Sequence, residues 1–431
     1  MSRPIVYDGV RLFLGAWAPA PRGIDRVDLL YARHLFEHWP GDCTGLLPTA
    51  WGTRLYDRGR GIRLLDAIEA LWRETADAET DTTLAYVRHW LTGEAPPAPG
   101  ARPGARYDRV GSLARQARLL AATGFTFGRS AARCTPLDAI YINIGQLGWA
   151  VPWSTSWLRH RPDIRAVFML HDVIPLLHPD LVSLGGRLAQ RWMLAAVSRY
   201  ANGLITTTDV AGDAVLRTLR PHPRPIVATG SLHLPVAATF LDQDVSDELL
   251  SGCTYFLVCG AIEPRKNHAM LFNVWRQLVA ERGVHAPRLV VVGSPAHGGR
   301  SILRQFAQSA SLQANVITVS GLSSPAVRRL MTYARAVLMP SLAEGFGLPI
   351  IEALTVGTPV LASDLPVHRE VGGDLACYVD PTDERGWLDA IRRLTVAPAF
   401  VADLRNRIAT YQPTTAASYF ARVQEYLETI P

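Results

Sequence analysis

Short apolar runs alternate with amphipathic segments along most of the chain. In the first half, the apolar runs predict strands at residues 4–8, 139–144, 165–170, 203–207 and 226–229. Apolar positions that recur every three or four residues predict helices at residues 24–39, 183–200 and 209–219. Strands that alternate with helices in this way are typical of an α/β fold with a parallel, doubly wound sheet.

The same alternation begins again after a polar connector at residues 231–252. Apolar runs then predict strands at 255–259, 289–292, 316–319, 336–339, 360–362 and 377–379. Helical patterns occupy residues 267–281, 301–312, 325–334, 349–356, 385–394 and 415–430. The sequence therefore predicts two doubly wound domains that face a cleft, and ligands of such sheets bind beyond the carboxyl ends of the strands.

Chain length and the position of the connector suggest how the domains divide. A chain of 431 residues is long enough for two or three ordinary domains. We assign residues 1–235 to a first domain, 236–412 to a second domain, and 413–431 to a C-terminal helix that packs back on the first domain. Residues 51–134 are rich in arginine and contain a Pro/Gly loop at 94–104, so we interpret them as an insertion in the first domain.

The basic residues are concentrated in the first half of the chain. Residues 1–224 contain 27 Arg against 20 acidic residues, whereas the remainder contains 17 basic against 18 acidic residues. Such an excess attracts an anionic ligand or membrane surface, and a solvated arginine-rich surface is the alternative. Lys266 is the only lysine beside 43 Arg, which suggests a need for a compact ammonium there, with chance as the alternative.

The sequence favours a cytoplasmic protein. The best candidate for a membrane span, residues 166–177, is interrupted by polar residues and a proline. Residues 12–20 imitate the apolar part of a secretory signal, but Asp8 and Arg11 precede them, so we interpret them as a strand end that runs into a loop. Five scattered cysteines without a CxxC pair favour a reducing compartment. Peripheral contact with the inner membrane face is compatible with the basic half.

A segment suited to anion and sugar binding follows the fourth strand predicted in the second half. Gly345 and Gly347 permit a tight turn close to a ligand, and Pro349 suits the first turn of a helix. The helix start then offers free backbone N–H groups to an anion. Glu344 and Glu352 flank the turn, and a carboxylate accepts two hydrogen bonds from the vicinal hydroxyls of a sugar. A helix cap beside a solvated glutamate is the alternative.

This segment, with its EGFGLP core, resembles the E-x7-E signature of the retaining glycosyltransferases of family 4, including bacterial mannosyltransferases. That resemblance implies a GT-B architecture, with two Rossmann-like domains facing a cleft. Other similar stretches are GAIEPRKN at 260–267, GTPVLAS at 357–363, YVDP at 378–381, GIDRV at 23–27 and HDVIP at 171–175. The similarity is specific over about residues 254–382 and weak over residues 51–134.

The resemblance implies roles for individual residues. Arg265 and Lys266 would hold the donor diphosphate and stabilise charge on the departing nucleoside diphosphate, which agrees with two cations placed after a strand end. A surface charge pair is the alternative. Glu352 would bind the ribose hydroxyls and Glu344 a hydroxyl of the transferred sugar. The predicted donor-binding residues are Glu352, Gly345, Phe346, Gly347, Leu348, Gly23, Gly321 and Leu322, and the predicted catalytic residues are His171, Arg265, Lys266 and Glu344.

Three of these positions need comment. His171 would lie beside the sugar and the attacking acceptor, with a buried core histidine as the alternative, and Asp172 would at least orient its neighbour. The loop at Gly23 departs from the family pattern, because Arg22 stands where a second glycine is usual. Gly321 and Leu322 follow a predicted strand and match the loop that contacts the base in the family.

The sequence predicts no metal and no other cofactor. A rival class of glycosyltransferases binds Mn²⁺ or Mg²⁺ through Asp-x-Asp, and Asp242 and Asp244 have that spacing. They lie in the connector with no strong strand before them, so we interpret them as solvated linker. The leaving diphosphate would then depend on Arg265, Lys266 and the helix start.

The leading hypothesis is a retaining hexosyltransferase of bacterial surface polysaccharide synthesis. GDP-mannose is the favoured donor, a UDP-hexose is the alternative, and the acceptor is a glycan or a lipid-pyrophosphate-linked glycan. An epimerase or phosphorylase on the same scaffold and a non-catalytic sugar-nucleotide-binding protein are the competing functions. Nucleic acid is not an expected partner, and a nicotinamide dehydrogenase is disfavoured because no G-x-G-x-x-G opens a βαβ unit.

Overall fold

The computed structural model describes residues 2–15, 21, 23–49, 52–72, 77–93, 119, 121, 128–146, 154–219, 228–242 and 246–431. The strands are β1 (Ile5–Asp8), β2 (Cys43–Thr49), β3 (Gly52–Tyr56), β4 (Arg129–Ser130), β5 (Ile140–Asn143), β6 (Arg165–Leu170), β7 (Ala201–Thr206), β8 (Ala228–Ser231), β9 (Tyr255–Cys259), β10 (Arg288–Val292), β11 (Val316–Val319), β12 (Ala336–Met339), β13 (Val360–Ser363) and β14 (Cys377–Val379). The helices of the first domain and connector are α1 (Val10–Gly15), α2 (Gly23–His38), α3 (Arg58–Trp72), α4 (Thr82–Thr92), α5 (Ala131–Cys134), α6 (Ile174–Leu177), α7 (Leu184–Tyr200), α8 (Asp209–Leu219) and α9 (Glu248–Ser251). Those that follow are α10 (His268–Arg282), α11 (Gly299–Ala307), α12 (Ala310–Asn315), α13 (Ser324–Tyr333), α14 (Leu348–Thr355), α15 (Pro366–Gly372), α16 (Glu384–Val396), α17 (Pro398–Ile408) and α18 (Ala416–Glu428).

The first sheet has the strand order β4-β3-β2-β1-β5-β6-β7-β8. The strands from β2 to β8 in this order pair in parallel, whereas β3 and β4 join the edge antiparallel. Strand β6 is buried at five of its six positions. This burial fits a parallel strand with both faces covered, for which near-continuous apolar sequence is typical.

The second sheet has the order β11-β10-β9-β12-β13-β14, and its strands pair in parallel throughout. Every residue of β9, β12 and β13 is buried. Helices cover the sheet through clusters of apolar side chains, with Trp275 of α10 and Trp387 of α16 fully enclosed. The predicted α/β class with two parallel-sheet domains is confirmed.

Several local predictions were wrong. The helix predicted at 301–312 is two helices, α11 and α12, because the chain turns at Gln308 and Ser309, where serines favour a cap over a helix interior. Leu12 lies in helix α1 and not at a strand end, while residues 16–20 lie outside the described residues. Strand β2 was missed because Gly45 and Pro48 interrupt its apolar pattern.

Helix α18 follows the second domain in sequence but packs on the first. The Tyr419 and Tyr31 hydroxyls are 2.6 Å apart, and the Tyr426 hydroxyl donates to the Leu204 carbonyl at 3.1 Å. The chain therefore passes between the domains twice, once through the connector and once through the segment that precedes α18. These two segments contact one another, since the Val236 amide donates to the Thr414 carbonyl at 3.1 Å.

The two described parts of residues 51–134 that precede the Pro/Gly loop lie in different places. Strand β3 extends the first sheet, and α3 packs on α2. Residues 77–93, by contrast, reach the second domain, where the Asp81 carboxylate accepts from the Ser323 amide at 2.8 Å. Glu79 pairs with Arg329 at 2.9 Å across the same boundary. The Pro/Gly loop predicted at 94–104 lies outside the described residues.

Helices long and apolar enough to cross a bilayer are not found among the described residues.

Candidate active site

The centre of the site is the corner between β12 and α14. The chain turns through Gly347, whose φ of 103° is a conformation that favours glycine, and α14 begins at Leu348 with Pro349 in its first turn. Leu348 and Pro349 precede the buried apolar residues Ile350, Ile351, Ala353 and Leu354, which fix the helix against the sheet. The first backbone amides of α14 are therefore held in a rigid position at the carboxyl edge of the second sheet.

Glu344 lies in this corner as the anion of a compact charge cluster. Its Oε1 accepts from the Lys266 ammonium and, at 2.7 Å, from the Ser341 hydroxyl, while its Oε2 accepts from Arg265 at 2.9 Å. The Glu344 side chain is 7% exposed. Burial raises the pKa of this carboxyl, but the two cations outweigh burial and hold the pKa well below its ordinary value. Glu344 is therefore ionised at neutral pH.

Arg265 and Lys266 reach the corner from a 3-10 turn, Pro264–Lys266, after β9. Arg265 is held on its other side by Glu263, whose Oε1 lies 2.7 Å from the Arg265 Nε. The turn is tied to the corner by its backbone as well, because the Leu342 amide donates to the Arg265 carbonyl at 2.7 Å. Two cations and one carboxylate are thereby fixed in one place, and the neighbouring Glu263 orients the guanidinium.

His171 approaches this corner from the first domain, at the end of β6. Its Nε2 donates to the Ile144 carbonyl at 3.1 Å, which fixes Nδ1 as the unprotonated, accepting nitrogen. Burial lowers the pKa of His171 to about 4, assisted by Arg11, so the ring is neutral at physiological pH. The neighbouring Asp172 uses its Oδ1 to accept from the Ile174 amide at 2.9 Å, which closes the turn into α6.

The two domains touch at Gly345. A Cβ atom on Gly345 would lie 2.5 Å from the His171 carbonyl oxygen and 3.0 Å from the Asp172 Cβ. Thr207, after β7, donates its hydroxyl to the Gly345 carbonyl at 2.9 Å. The carboxyl ends of β6, β7 and β12 therefore meet, which places His171 opposite the turn that carries Glu344.

Helix α2 contacts α14 at two places, through Arg26 and through Gly23. The Glu352 carboxylate is buried and lies 3.6 Å from the Arg26 guanidinium of α2. A Cβ on Gly23 would lie 3.1 Å from the Leu348 side chain, so the start of α2 contacts the start of α14. Arg22, which replaces the usual second glycine, lies outside the described residues. The structure thus brings the predicted residues Gly23, Leu348 and Glu352 together.

Gly321 and Leu322 lie further along the edge of the second sheet, after β11. Gly321 has a φ of 82°, and Leu322 is buried. The next residue, Ser323, caps α13 with its hydroxyl and donates its amide to Asp81. The predicted base-contacting loop is therefore held by a residue from the first half of the chain, a contact that the sequence analysis did not predict.

His368, in α15, is a site residue that the sequence analysis missed. Its Nδ1 donates to the Ser363 carbonyl at 2.9 Å, and its buried Nε2 has no hydrogen-bond partner among the described residues. A Cβ on Gly347 would lie 3.7 Å from this Nε2, so the ring edge faces the turn. Burial lowers the pKa of His368, which leaves Nε2 as an acceptor for a ligand hydroxyl. The feature of the sequence that could have identified His368 was its position shortly after the end of β13.

Glu370, also in α15, joins the domains and was likewise missed. Its carboxylate accepts from the Asp209 and Val210 amides at 2.7 and 3.0 Å, which caps the start of α8 in the first domain. His233 Nε2 lies 2.8 Å from the same carboxylate. A residue of the second domain thus satisfies a helix N-terminus of the first.

A candidate metal cluster of three or more His, Cys, Asp or Glu side chains is not found in the part of the chain that the structure describes. Asp242 follows a 3-10 turn of the connector, and its carbonyl accepts from Arg328. Asp244 lies outside the described residues.

Comparison with curated proteins shows similarity to bacterial mannosyltransferases. The chain is 28% identical to the O-antigen chain mannosyltransferase RfbU of Salmonella typhimurium over 246 residues, covering 56% of this chain and 64% of that protein. It is 25% identical to the O-antigen chain mannosyltransferase B of Escherichia coli over 292 residues, covering 63% and 73%. The chain spans under two thirds of the length of some relatives, 28% for the mannosyltransferase WbdA of Escherichia coli.

Solved structures share the whole fold at low sequence identity. Anabaena HepE in complex with UDP-glucose matches with a TM-score of 0.64 and 15% identity over 99% of this chain and 100% of that one. Sucrose-phosphate synthase of Thermosynechococcus elongatus matches with a TM-score of 0.60 and 16% identity over 99% of each chain. The predicted GT-B fold is confirmed by these neighbours.

The family model "Glycosyl transferases group 1" matches residues 245–414, which contain the turn after β9, the β12–α14 corner and α15. The matched residues thus include Glu344, Arg265, Lys266 and Glu352. Residues 245–414 are therefore similar to the group 1 glycosyltransferase domain, and the chain has a GT-B fold.

Proposed function

We propose that the chain is a retaining glycosyltransferase that transfers mannose from GDP-mannose to a glycan or lipid-linked glycan of a bacterial surface polysaccharide. The observation that carries the proposal is the cluster of Glu344, Arg265 and Lys266 beside the start of α14, with His171 opposite. The similarity to O-antigen mannosyltransferases supports the donor and the polysaccharide.

The charge cluster suits a leaving nucleoside diphosphate. Glu344 pairs with both Arg265 and Lys266, and one carboxylate leaves these two cations with a net positive charge. A bound diphosphate would provide a second set of anionic oxygens for these cations, and the amides of Gly345 to Leu348 add N–H donors without reorganisation. Glu344 would then be freed in part to accept from a sugar hydroxyl. Transition-state charge is stabilised in this arrangement without a metal ion.

Same-face attack of the acceptor is the route that we favour for retention. His171 is neutral, and its backbone carbonyl lies against Gly345, which puts this residue beside the corner where the sugar would lie. Its accepting Nδ1 can receive a hydroxyl proton or hydrogen bond from the sugar or acceptor. We assign Glu352 to the ribose hydroxyls, which requires the donor to compete with Arg26 for this carboxylate.

The acceptor is proposed from charge. The first 224 residues have an excess of seven basic residues, 27 against 20, and a pyrophosphate-bearing acceptor is anionic. The same excess favours peripheral contact with an anionic inner membrane face, where a lipid-linked acceptor would lie.

A panel of sugar nucleotides tests the proposed function. Purified chain is incubated with GDP-mannose, UDP-glucose, UDP-galactose or UDP-N-acetylglucosamine, with and without a lipid extract that contains polysaccharide precursors. We expect GDP release from GDP-mannose that increases at least tenfold with the extract and persists in EDTA. NMR of the product should show the α-anomer of the donor retained.

Other outcomes identify the competing functions. Turnover of a UDP-sugar, without turnover of GDP-mannose, would identify a UDP-hexose as the donor. Conversion without nucleotide release would indicate an epimerase, and binding without any conversion would indicate a sugar-nucleotide-binding protein. Loss of activity in EDTA with recovery in Mn²⁺ would contradict the metal-free mechanism and direct attention to Asp242 and Asp244.

A further inference from the structure

Helix α7 exposes an apolar stripe to solvent. Leu184, Leu188 and Trp192 are spaced four residues apart, which places them on one face of the helix. Their exposed fractions are 62%, 41% and 49%. Leu177, at the end of α6, is 55% exposed, and α6 packs against α7. We refer to Leu177, Leu184, Leu188 and Trp192 as the α7 face.

The α7 face is not the part of the helix that packs on the domain. The opposite side of α7 buries Met193, Leu194 and Val197 against the first sheet. A helix on the surface of a domain usually presents polar residues outward, opposite its buried stripe. Helix α7 is apolar on both sides, and clustered exposed apolar residues of this kind mark a surface for another molecule.

The charged side chains of α7 are all basic. Helix α7 contains Arg187, Arg191 and Arg199 and no carboxylate. From residue 174 to residue 200 the only acidic residue is Asp180, in the turn between α6 and α7. Arg191 and Arg199 are exposed beside the stripe. Arginines that flank leucines and a tryptophan are typical of helices that lie in the interface of an anionic bilayer.

We propose that the α7 face docks on a bilayer that contains anionic lipid, with the leucines and Trp192 entering the interface and the arginines contacting lipid phosphates. A second copy of the chain fits this surface less well. A symmetric contact through the same face would place the arginines of one α7 against those of the other. Lipid phosphates, by contrast, complement the arginines and leave the apolar stripe a hydrocarbon environment.

The docking face is connected to the candidate active site. Gln190 of α7 donates its side-chain amide to the Asp172 carbonyl at 3.0 Å, and Asp172 directly follows His171. A bilayer on the α7 face would therefore lie near the first-domain side of the site, where an acceptor is expected. This consequence relies on the proposed function, whereas the docking itself relies only on the surface.

Vesicle sedimentation tests the proposal. The full chain is mixed with vesicles of phosphatidylcholine alone or with 30% phosphatidylglycerol as the anionic lipid (a composition of about this value is sufficient to give a negative surface). We expect sedimentation with the anionic vesicles only, weakened at least tenfold by Leu184→Ser/Leu188→Ser/Trp192→Ser. Arg191→Gln/Arg199→Gln should weaken it as well, and should reduce its dependence on salt.

A matched control uses exposed apolar residues elsewhere. Leu137, Val284 and Val396 are 78%, 85% and 57% exposed, so Leu137→Ser/Val284→Ser/Val396→Ser removes similar apolar surface outside the α7 face. This control should sediment as wild type does. Equal loss in the control and the α7 triple variant would overturn the proposal, and so would equal sedimentation with neutral vesicles.

Two further readouts separate the possible explanations. Light scattering after size exclusion detects a dimer, and a dimer that the α7 triple variant abolishes, without vesicle binding, would make a second copy the occupant. Release of GDP from GDP-mannose in solution should be unchanged in the α7 triple variant. Vesicle binding without sugar-nucleotide turnover would contradict the proposed function alone, and turnover without vesicle binding would contradict the docking face alone.

Discussion

Lys266 is the only lysine in the chain, and its ammonium lies against Glu344 at the β12–α14 corner. An ammonium is a compact charge with three rotatable donors, whereas a guanidinium is a planar fork. Arg265 already occupies the adjacent position with its fork held by Glu263 and Glu344. A guanidinium at residue 266 would compete with that of Arg265 for the Glu344 carboxylate. The two positions therefore require different cations.

Lys266→Ala should lower kcat by about 10²–10³, the scale for loss of one preorganised group that stabilises transition-state charge. Lys266→Arg should recover only part of this loss, because the larger group lacks room beside Arg265. Steady-state kinetics with GDP-mannose would measure both effects. Arg385→Ala, at a side chain that is 91% exposed, is the control and should leave kcat unchanged. A decrease in kcat of less than tenfold for Lys266→Ala would show that Lys266 is not a catalytic residue.

The pH profile should reflect the neutral state of His171. Burial lowers the pKa of His171 to about 4, so its Nδ1 remains an acceptor as the pH falls from 8 to about 5. We expect the profile of kcat/KM to show no titration step near pH 6.5, and kcat/KM to fall only as the pH approaches 4. An unfolded histidine takes up its proton near pH 6.5, so this residue also stabilises the fold less as the pH falls from 6.5 to 4.

Comparison with His171→Gln checks this assignment. The variant keeps a side-chain amide that can donate to the Ile144 carbonyl, but it does not titrate. Its activity should be lower than that of wild type at pH 7 and flat toward pH 4. A wild-type profile with a midpoint near 6.5 that disappears in His171→Gln would show that the imidazole is solvated and would contradict its burial.

At the residue scale, the sequence was most informative where chemistry and strand ends coincide. Glu344, Arg265 and Lys266 each follow a strand of one parallel sheet, and the carboxyl ends of such strands share an edge. His368 follows β13 in the same way but was missed. Its role depends on the Nδ1 bond to Ser363, which aims Nε2 at Gly347, and local sequence does not encode that orientation.

The turn between β12 and α14 acts as a structural element because it forms the contact between the domains. Gly345 has no side chain to separate its backbone from His171 and Asp172. Thr207 bonds the Gly345 carbonyl from a second loop of the first domain. The close approach of two backbones therefore sets how tightly the cleft can close over a sugar.

Gly345→Ala should hold the domains apart, because its Cβ would lie 2.5 Å from a backbone oxygen that has little freedom to move. We expect kcat to fall by at least tenfold, while the affinity for GDP, which contacts mainly the second domain, changes little. Calorimetry with GDP and steady-state kinetics separate the two quantities. Gly252→Ala is the control, since its nearest neighbour would be the Glu248 carbonyl at 3.9 Å. Equal kcat in both variants would show that closure at Gly345 is not needed.

At the element scale, prediction succeeded where an element is buried on both faces or strongly periodic. The bounds of β6, β9, β11 and β12 match the apolar runs. Strand β2 was missed because Gly45 and Pro48 break its apolar pattern, and β3 was missed because only two of its five residues are buried. Strands whose apolar pattern is interrupted are specified by their neighbours in the sheet more than by their own sequence.

The whole molecule is held together by contacts that the sequence did not indicate. Asp81 bonds Ser323, and Glu79 bonds Arg329, so residues 77–93 move with the second domain when these contacts hold. Helix α18 returns to the first domain through Tyr419 and Tyr426. Long-range polar pairs of this type have no periodic signature, whereas the amphipathic pattern of α18 itself was visible.

Glu370 is a polar link between the domains, because its carboxylate caps α8 across the cleft and also contacts His233. A helix cap contributes roughly 1 kcal/mol. Glu370→Gln keeps the size of the side chain but loses the charge that the start of α8 favours. We use "closed arrangement" for the one seen in the structure, in which the two domains are in contact. We expect its population relative to open forms to fall about fivefold, a ratio that corresponds to roughly 1 kcal/mol.

Small-angle scattering measures this shift as a larger radius of gyration for Glu370→Gln, and saturating GDP-mannose should reduce the difference by favouring the closed form. Glu384→Gln is the matched control, because the carboxylate of Glu384 accepts from Asn273 and Gln277, both within the second domain. Identical scattering for wild type and Glu370→Gln would mean that Gly345, α18 and residues 77–93 hold the domains without this cap. In that case the closed arrangement would be a property of the packed interface, and opening of the cleft to admit the donor would require residues 77–93 to detach from one of the two domains.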